Sequence, residues 1–261
     1  MATASIHNNK TWPHLSNSKL FLFIALFLTI VIYLPGLNGP FLLDDATAIP
    51  QLKMIELDWP QLISLAFSQE HGPLRRPLPS ASLSLNHIFF GGEALSFNIT
   101  NLVLHLLIGI LLYVLSKKSL SHCTQDKLTA KQITSIALIT ASIWLIHPLN
   151  VSTVLYVVQR MTQLSTLFTL LAILTYIIGR ERILQEKRFA YRILLGGYFI
   201  FGLLGIFSKE TTALLPGYIL LIELLIFKFR TPIKLTGHRD IRFLSVFSAI
   251  TLLPITLGLS I

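Results

Sequence analysis

Four clusters of polar residues in this chain have side chains whose types and spacing could do chemistry. The first is the pair Asp44-Asp45, in the stretch Gly39-Pro40-Phe41-Leu42-Leu43-Asp44-Asp45. Adjacent carboxylates repel, which favours a proton on one of them. Such a pair suits a general base, a divalent cation such as Mg or Mn, or one of each. The plain alternative is a solvated loop start. The second cluster is Arg75-Arg76-Pro77-Leu78. A guanidinium presents a fixed fork of donors that matches phosphate oxygens, though contact with lipid headgroups would explain it equally. The third is His147-Pro148-Leu149 followed by Gln159-Arg160 and Gln163. An Arg about two turns into an apolar helix normally faces a cavity or a partner, and Gln163 shares its face. The fourth is Ser208-Lys209-Glu210, a turn so short that both charges must lie near a bilayer surface.

These clusters are positioned by long apolar runs. Stretches of roughly 17 to 25 apolar residues predict membrane-spanning helices. Seven are expected: Leu20–Leu37, Phe97–Leu115, Ile133–Ile146, Val151–Ile178, Ile193–Phe207, Thr211–Phe227 and Phe243–Ile261. Within the second, Asn98, Asn101 and His105 fall on one face and predict a polar stripe turned into the bundle, a packing feature rather than direct chemistry. The fold expected is all-α and polytopic, with residues 1–19 a cytoplasmic tail, 20–261 one membrane module, and a long first extracytoplasmic loop over about 38–96.

Sidedness follows from the basic residues. Of the 21 Lys and Arg, those outside Lys53, Arg75, Arg76, Arg160 and Lys209 fall in the tail and in the second, fourth and sixth connections. The N-terminus is therefore expected in the cytoplasm and all four clusters on the outer side. Composition agrees with a membrane chain. The 261 residues are 53% hydrophobic and only 13% charged, against about 25% charged in soluble domains, and the mean hydropathy is +0.69. The net charge of +9 is accounted for by loop charge, so no nucleic-acid partner is expected. The single cysteine, Cys123, rules out internal disulfides and cysteine-based zinc sites.

The order of these features resembles a known family. Arg76-Pro77-Leu78, Ser82, Asn86, Gly91, Phe97, Asn101 and His105, then His147-Pro148 with Val154, Val158 and Arg160, then Lys209-Glu210, are similar to the blocks of GT-C glycosyltransferases that use polyprenyl-phosphate sugars. The transmembrane O-mannosyltransferase type, often joined to tetratricopeptide repeats, and its bacterial relatives are the most alike. The resemblance covers roughly residues 20–227. It implies that Asp44 and Asp45 supply the catalytic base or a metal site. It further implies that Arg76, Arg160 and Lys209, with Arg75 and His147, hold the lipid phosphate. Asn101, His105, Gln163 and Glu210 would support them. The implied partners are a polyprenyl-phosphate-linked sugar, a protein or glycan acceptor and membrane lipid, at a bacterial inner membrane. Two rival readings are a transporter or flippase for a lipid-linked anion, for which Glu223 is the charge near the inner end of a span, and a non-catalytic remnant. The sequence stops within an apolar run, Leu257-Gly258-Leu259-Ser260-Ile261, and a module truncated at its C-terminus is the expectation drawn from that.

Overall fold

A computed structural model describes residues 18–46, 49, 76–124, 127–230 and 241–258, with side chains as far as Thr251. Among these residues the structure is helical, without strands. The helices are α1 (Ser18–Tyr33), α2 (Pro77–Phe90), α3 (Ala94–Cys123), α4 (Ala130–Leu145), α5 (Val151–Leu155), α6 (Arg160–Leu184), α7 (Ala190–Ile206), α8 (Leu215–Ile222) and α9 (Ile241–Gly258). A 3-10 turn at Glu210–Leu214 leads into α8, and a π turn at Glu223–Phe227 ends it.

Four segments are long and apolar enough to cross a membrane: Ser18–Gly36, Ala94–Cys123, Val157–Leu184 and Glu210–Phe227. A fifth is gained if α4 and Pro148–Leu155, bent by 50°, form one broken span. Seven spans were expected; among the described residues four, or five with the bent pair, reach the length and apolar composition of a full crossing. The physical reason is length. The 17 residues of α7 rise about 26 Å, short of a hydrocarbon core of about 30 Å. Large apolar side chains on the outward faces, including Phe23, Phe27, Ile139, Ile143, Ile200 and Leu203, are exposed, as they must be on helices that face lipid.

Two more boundaries differ from expectation. The expected fourth span, Val151–Ile178, is broken: α5 ends at Leu155, a 3-10 turn covers Val157–Gln159, and α6 begins at Arg160. Arg160 therefore opens a helix rather than lying two turns inside one. The expected loop over 38–96 contains a helix, α2, and α3 already starts at Ala94.

Local sequence explains the main junctions. Thr129 caps α4 reciprocally with Gln132: its Oγ1 accepts from the Gln132 amide at 3.3 Å, and Gln132 Oε1 accepts from the Thr129 amide at 2.8 Å. This satisfies donors that a helix start leaves unpaired. The α6–α7 hairpin is tight because Gly179 backs onto Leu194 and Gly197 onto Thr175, and a Cβ at either glycine would clash. Small residues of this kind let apolar helices approach closely in lipid. The Asn101–Arg160 and Lys118–Glu181 contacts make α3 and α6 parallel. One end of the bundle thus collects residues 34–46, 49, 76–101, 145–163 and 207–212, and the opposite end collects 117–123, 181–192 and 223–230.

Candidate functional site

The two adjacent aspartates are placed very differently. Asp45 is 1% exposed. Its Oδ1 accepts from the Val158 amide at 2.8 Å, and its Oδ2 accepts from Val157 at 3.1 Å and Leu42 at 3.4 Å. Val157 and Val158 open the turn that leads into α6, and a carboxylate there meets both the unpaired amides and the positive end of the helix dipole. Burial raises the pKa of Asp45; the three amides oppose that rise and the charge of Asp44 adds to it. Asp44, by contrast, is exposed, and its amide donates to the Tyr156 hydroxyl at 3.2 Å.

Arg76 and Glu210 are 134 residues apart and form a two-pronged pair, Nε to Oε1 at 3.2 Å and Nη2 to Oε2 at 2.9 Å. Their side chains are 21% and 32% exposed, so the pair remains open to a ligand. Arg76 also reaches the Met161 sulfur at 2.8 Å. Its backbone is left-handed, φ 40°, immediately before Pro77. That conformation is disfavoured for a residue preceding proline, and such strain gathers at functional sites. Lys209 Nζ donates to Thr162 Oγ1 at 2.9 Å, and that hydroxyl donates to Gln159 Oε1 at 2.7 Å. Burial and the neighbouring Arg76 charge lower the pKa of Lys209, while Glu210 raises it. Two cations thus share one carboxylate, and the cluster keeps a positive excess suited to an anion.

Arg160 is fully buried. It donates to Asn101 Oδ1 at 2.8 Å, Asn86 Oδ1 at 2.9 Å, the Phe97 carbonyl at 2.9 Å and the Ser82 carbonyl at 3.2 Å, and its guanidinium lies 5.7 Å from the Phe97 ring centroid. Those acceptors are neutral oxygens, so its charge is solvated by the protein but not neutralised. Asn101 also donates to the Val154 carbonyl at 3.2 Å, and Gln163 Nε2 to the Asn101 carbonyl at 3.0 Å. One turn along α3, His105 Nε2 meets the Leu145 carbonyl at 2.9 Å, with its ring stacked on Trp144 at 4.6 Å. Asn98 donates to the Leu37 carbonyl at 2.9 Å. The polar stripe of α3 thus ties down the end of the first span, the break after α4 and the start of α6.

Of the residues singled out by sequence, the fold brings Arg76, Lys209 and Glu210 into one cluster and sets Arg160, Asn101 and Gln163 beneath it. His147 stays exposed and caps its own 3-10 turn, its Nδ1 accepting from the Leu149 amide at 3.3 Å. No hydrogen bond or ion pair joins it to the cluster among the described residues. Arg75 lies outside the described residues. Tyr156, Met161 and Thr162 were not singled out. They belong with Val157, Val158 and Gln159 to one short segment that touches Asp44, Asp45, Arg76 and Lys209 in turn. As a divalent-cation site the aspartate pair offers little, because both oxygens of Asp45 already accept amides. No group of three or more His, Cys, Asp or Glu gathers among the described residues.

An apolar groove of about 340 Å³ lies between α2 and α6, lined by Leu78, Leu85, Phe89, Leu164 and Phe168 among others. Met161, Leu164 and Phe168 share one face of α6 by their spacing, so the groove continues from the residue that Arg76 touches.

The chain is 26% identical over 171 residues to Protein O-mannosyl-transferase F38B6.6 of Caenorhabditis elegans. The alignment covers 61% of this chain and 23% of that protein, so the chain spans about a quarter of the relative's length. No family model matches the chain, and no solved structure matches it significantly. Together with four or five apolar segments able to cross a bilayer, the similarity relates this chain to a membrane glycosyltransferase.

Proposed function

We propose that the chain is a module of an integral-membrane, inverting glycosyltransferase of the GT-C kind, which moves a sugar from a polyprenyl-phosphate donor to a hydroxyl of a protein or glycan on the extracytoplasmic face. The observation that carries this reading is the segment Tyr156–Gln163. It holds a buried aspartate beside an exposed one and, within two helical turns, contacts two cations from distant parts of the chain.

In this reading Asp44 takes the proton from the acceptor hydroxyl. The acceptor oxygen forms a bond to the anomeric carbon from the face opposite the phosphate, and the bond between that carbon and the phosphate oxygen breaks. The lipid phosphate leaves as an anion. Arg76 and Lys209 stabilise the charge that develops on it, in a half-buried place where such stabilisation is strong. Asp45 fixes the start of α6, and Arg160 acts from below as a positioning residue that adds positive potential. The groove between α2 and α6 would take the first part of the lipid chain. The positive-inside pattern supports an extracytoplasmic position for this end of the bundle. The transporter reading is weakened because Glu223 is bound to Arg180 rather than open to a path.

The test couples transfer with donor retention. In membranes carrying the chain and given a polyprenyl-phosphate sugar, Asp44→Asn is expected to slow transfer by about 100-fold or more. Native mass spectrometry of the same variant should find donor retention unchanged. Arg76→Ala with Lys209→Ala should lose that retention. Undiminished transfer in the first variant would overturn the base, and undiminished retention in the second would overturn the phosphate site.

A further inference from the structure

The end of the bundle opposite the Arg76 cluster carries a charged turn that the transferase reading does not use. The 25 residues of α6 put it about 37 Å away. Between α6 and α7 the chain reverses in Gln185–Phe189, with two non-glycine residues in the left-handed region, Glu186 (φ 52°) and Phe189 (φ 61°). Positive φ is uncommon for such residues, and for a bulky one it is an outlier. Here the turn leaves the ring of Phe189 58% exposed. Two guanidiniums flank that ring, Arg188 at 5.8 Å and Arg192 at 5.1 Å from its centroid. Lys187 is exposed beside them and Arg182 is half-buried on the preceding helical turn. Among the described residues of this turn and its flanks, four cations therefore stand beside the carboxylate of Glu186. The other nearby acid, Glu181, is engaged by Lys118 at 2.7 Å and His122 at 2.8 Å.

From this arrangement we infer that the α6–α7 turn is a binding site for the headgroup phosphate of an anionic bilayer lipid, with Phe189 seated at the interface. Charge complementarity points to an anion, and each cation close to such a surface strengthens the attraction. The location points to a lipid rather than a soluble anion. The turn caps two apolar helices whose outward residues, Phe199, Ile200 and Leu203 on α7, are exposed. An aromatic ring at the boundary of such a surface is an interfacial anchor. Stacking of both guanidiniums on that ring reduces the freedom they lose when a phosphate is bound between them. The site depends on the helices being in a bilayer and not on the chemistry proposed at the other end.

The experiment is native mass spectrometry of the purified chain from mixed micelles of phosphatidylglycerol and phosphatidylcholine. The wild type should retain phosphatidylglycerol preferentially. Arg188→Ala with Arg192→Ala should lower that preference by on the order of tenfold, and Phe189→Ala by a smaller factor. Arg76→Ala with Lys209→Ala, at the opposite cluster, should lower it by a smaller factor than loss of Arg188 and Arg192 does. No preference in the wild type, or an undiminished preference after removing both arginines, would overturn the proposal. A preference lost only in the Arg76 and Lys209 variant would move the lipid site to the other end and would also overturn it. Far-ultraviolet circular dichroism checks that the substituted proteins remain helical.

Discussion

Arg160 and Arg180 sit on the same helix, both fully buried, one at each end of its length. Their surroundings differ in one respect. Arg180 meets a carboxylate, Glu223, with Nε to Oε1 at 2.6 Å and Nη2 to Oε2 at 3.2 Å. Tyr176 donates to the same carboxylate at 2.8 Å, and Phe243 stacks on the guanidinium at 3.7 Å. Arg160 meets neutral oxygens, of amides, backbone carbonyls and the Ser82 hydroxyl. A burial that neutralises charge makes a staple between helices. A burial that solvates charge without cancelling it leaves a field. At the Arg160 end that field adds to the α6 dipole and to Lys209, and an anion would be drawn there. At the Arg180 end the interior is neutral, and the positive charge lies at the surface around Phe189.

Breaking the neutral end should have the larger effect on stability. Glu223→Ala leaves a buried guanidinium without its counter-charge, which typically costs about 3–5 kcal/mol. The variant is expected to melt well below the wild type in detergent. Replacing both partners, Arg180→Met with Glu223→Leu, should recover most of the loss. A single variant that melts like the wild type would show that the pair is not a staple. Arg160→Lys tests the other end. An ammonium cannot reach Asn101, Asn86 and the two carbonyls at once, so some of these acceptors lose their donor. Each buried group left unpaired costs about 1–3 kcal/mol. Because the charge remains, donor retention should fall less than stability does. If retention vanished while the melting temperature held, Arg160 would be touching the ligand directly.

Asp45 gives a smaller effect with a definite dependence on pH. Burial keeps its carboxyl protonated to a higher pH than in the unfolded chain, where it titrates near about 3.9. Between those two values the folded state binds more protons than the unfolded one. The contribution to stability is therefore fully present below the unfolded value and is lost as pH rises through the folded one. Asp45→Asn keeps an acceptor for the Val158 amide and removes the titration. Its melting temperature should lose that part of the dependence, which lies above about pH 4, and an unchanged profile would show that another group carries it.

The unequal roles of Asp44 and Asp45 were not legible in the sequence, and the reason is physical. What separates them is a pair of amides 112 and 113 residues away, exposed only because the expected fourth span breaks at Tyr156. The same break moved Arg160 from the interior of a helix to its start. Arg180 read as loop charge because it follows Gly179 and precedes a basic stretch. Its partner, Glu223, lies 43 residues on, and the pairing depends on α6 and the Glu210–Phe227 segment running parallel. Local patterns, by contrast, were readable. The apolar runs located the first span, α4, α7 and the Glu210–Phe227 segment to within a few residues, though α3 runs on to Cys123 and the fourth run hid the break before Arg160, and the spacing of Asn98, Asn101 and His105 put them on one face. The Lys209-Glu210 turn was visible as charge, but the reach of Glu210 to Arg76 across 134 residues was not.

The smallest expected effect is also the most specific. Thr162 accepts a hydrogen bond from Lys209 on one side and donates one to Gln159 on the other. It sits on the first turn of α6, whose start Asp45 fixes. Thr162→Val keeps the shape and removes the hydroxyl. A hydrogen bond from a charged group is worth about 1.5–3 kcal/mol, but the lysine is partly exposed and can turn to water, so stability should hardly change. The ammonium, however, loses the contact that aims it. If Lys209 works as a positioned charge, retention of a phosphorylated lipid should drop a few-fold, while Arg76, held by Glu210, still supplies the remaining attraction. Thr162→Ser restores the hydroxyl without the methyl and should restore retention. A Val variant that binds as the wild type does would mean that Lys209 acts only through its net charge. The Arg76 cluster would then resemble the Phe189 turn, a surface of cations, and the difference in order between the two ends would lie in Arg76 and Asp44 alone.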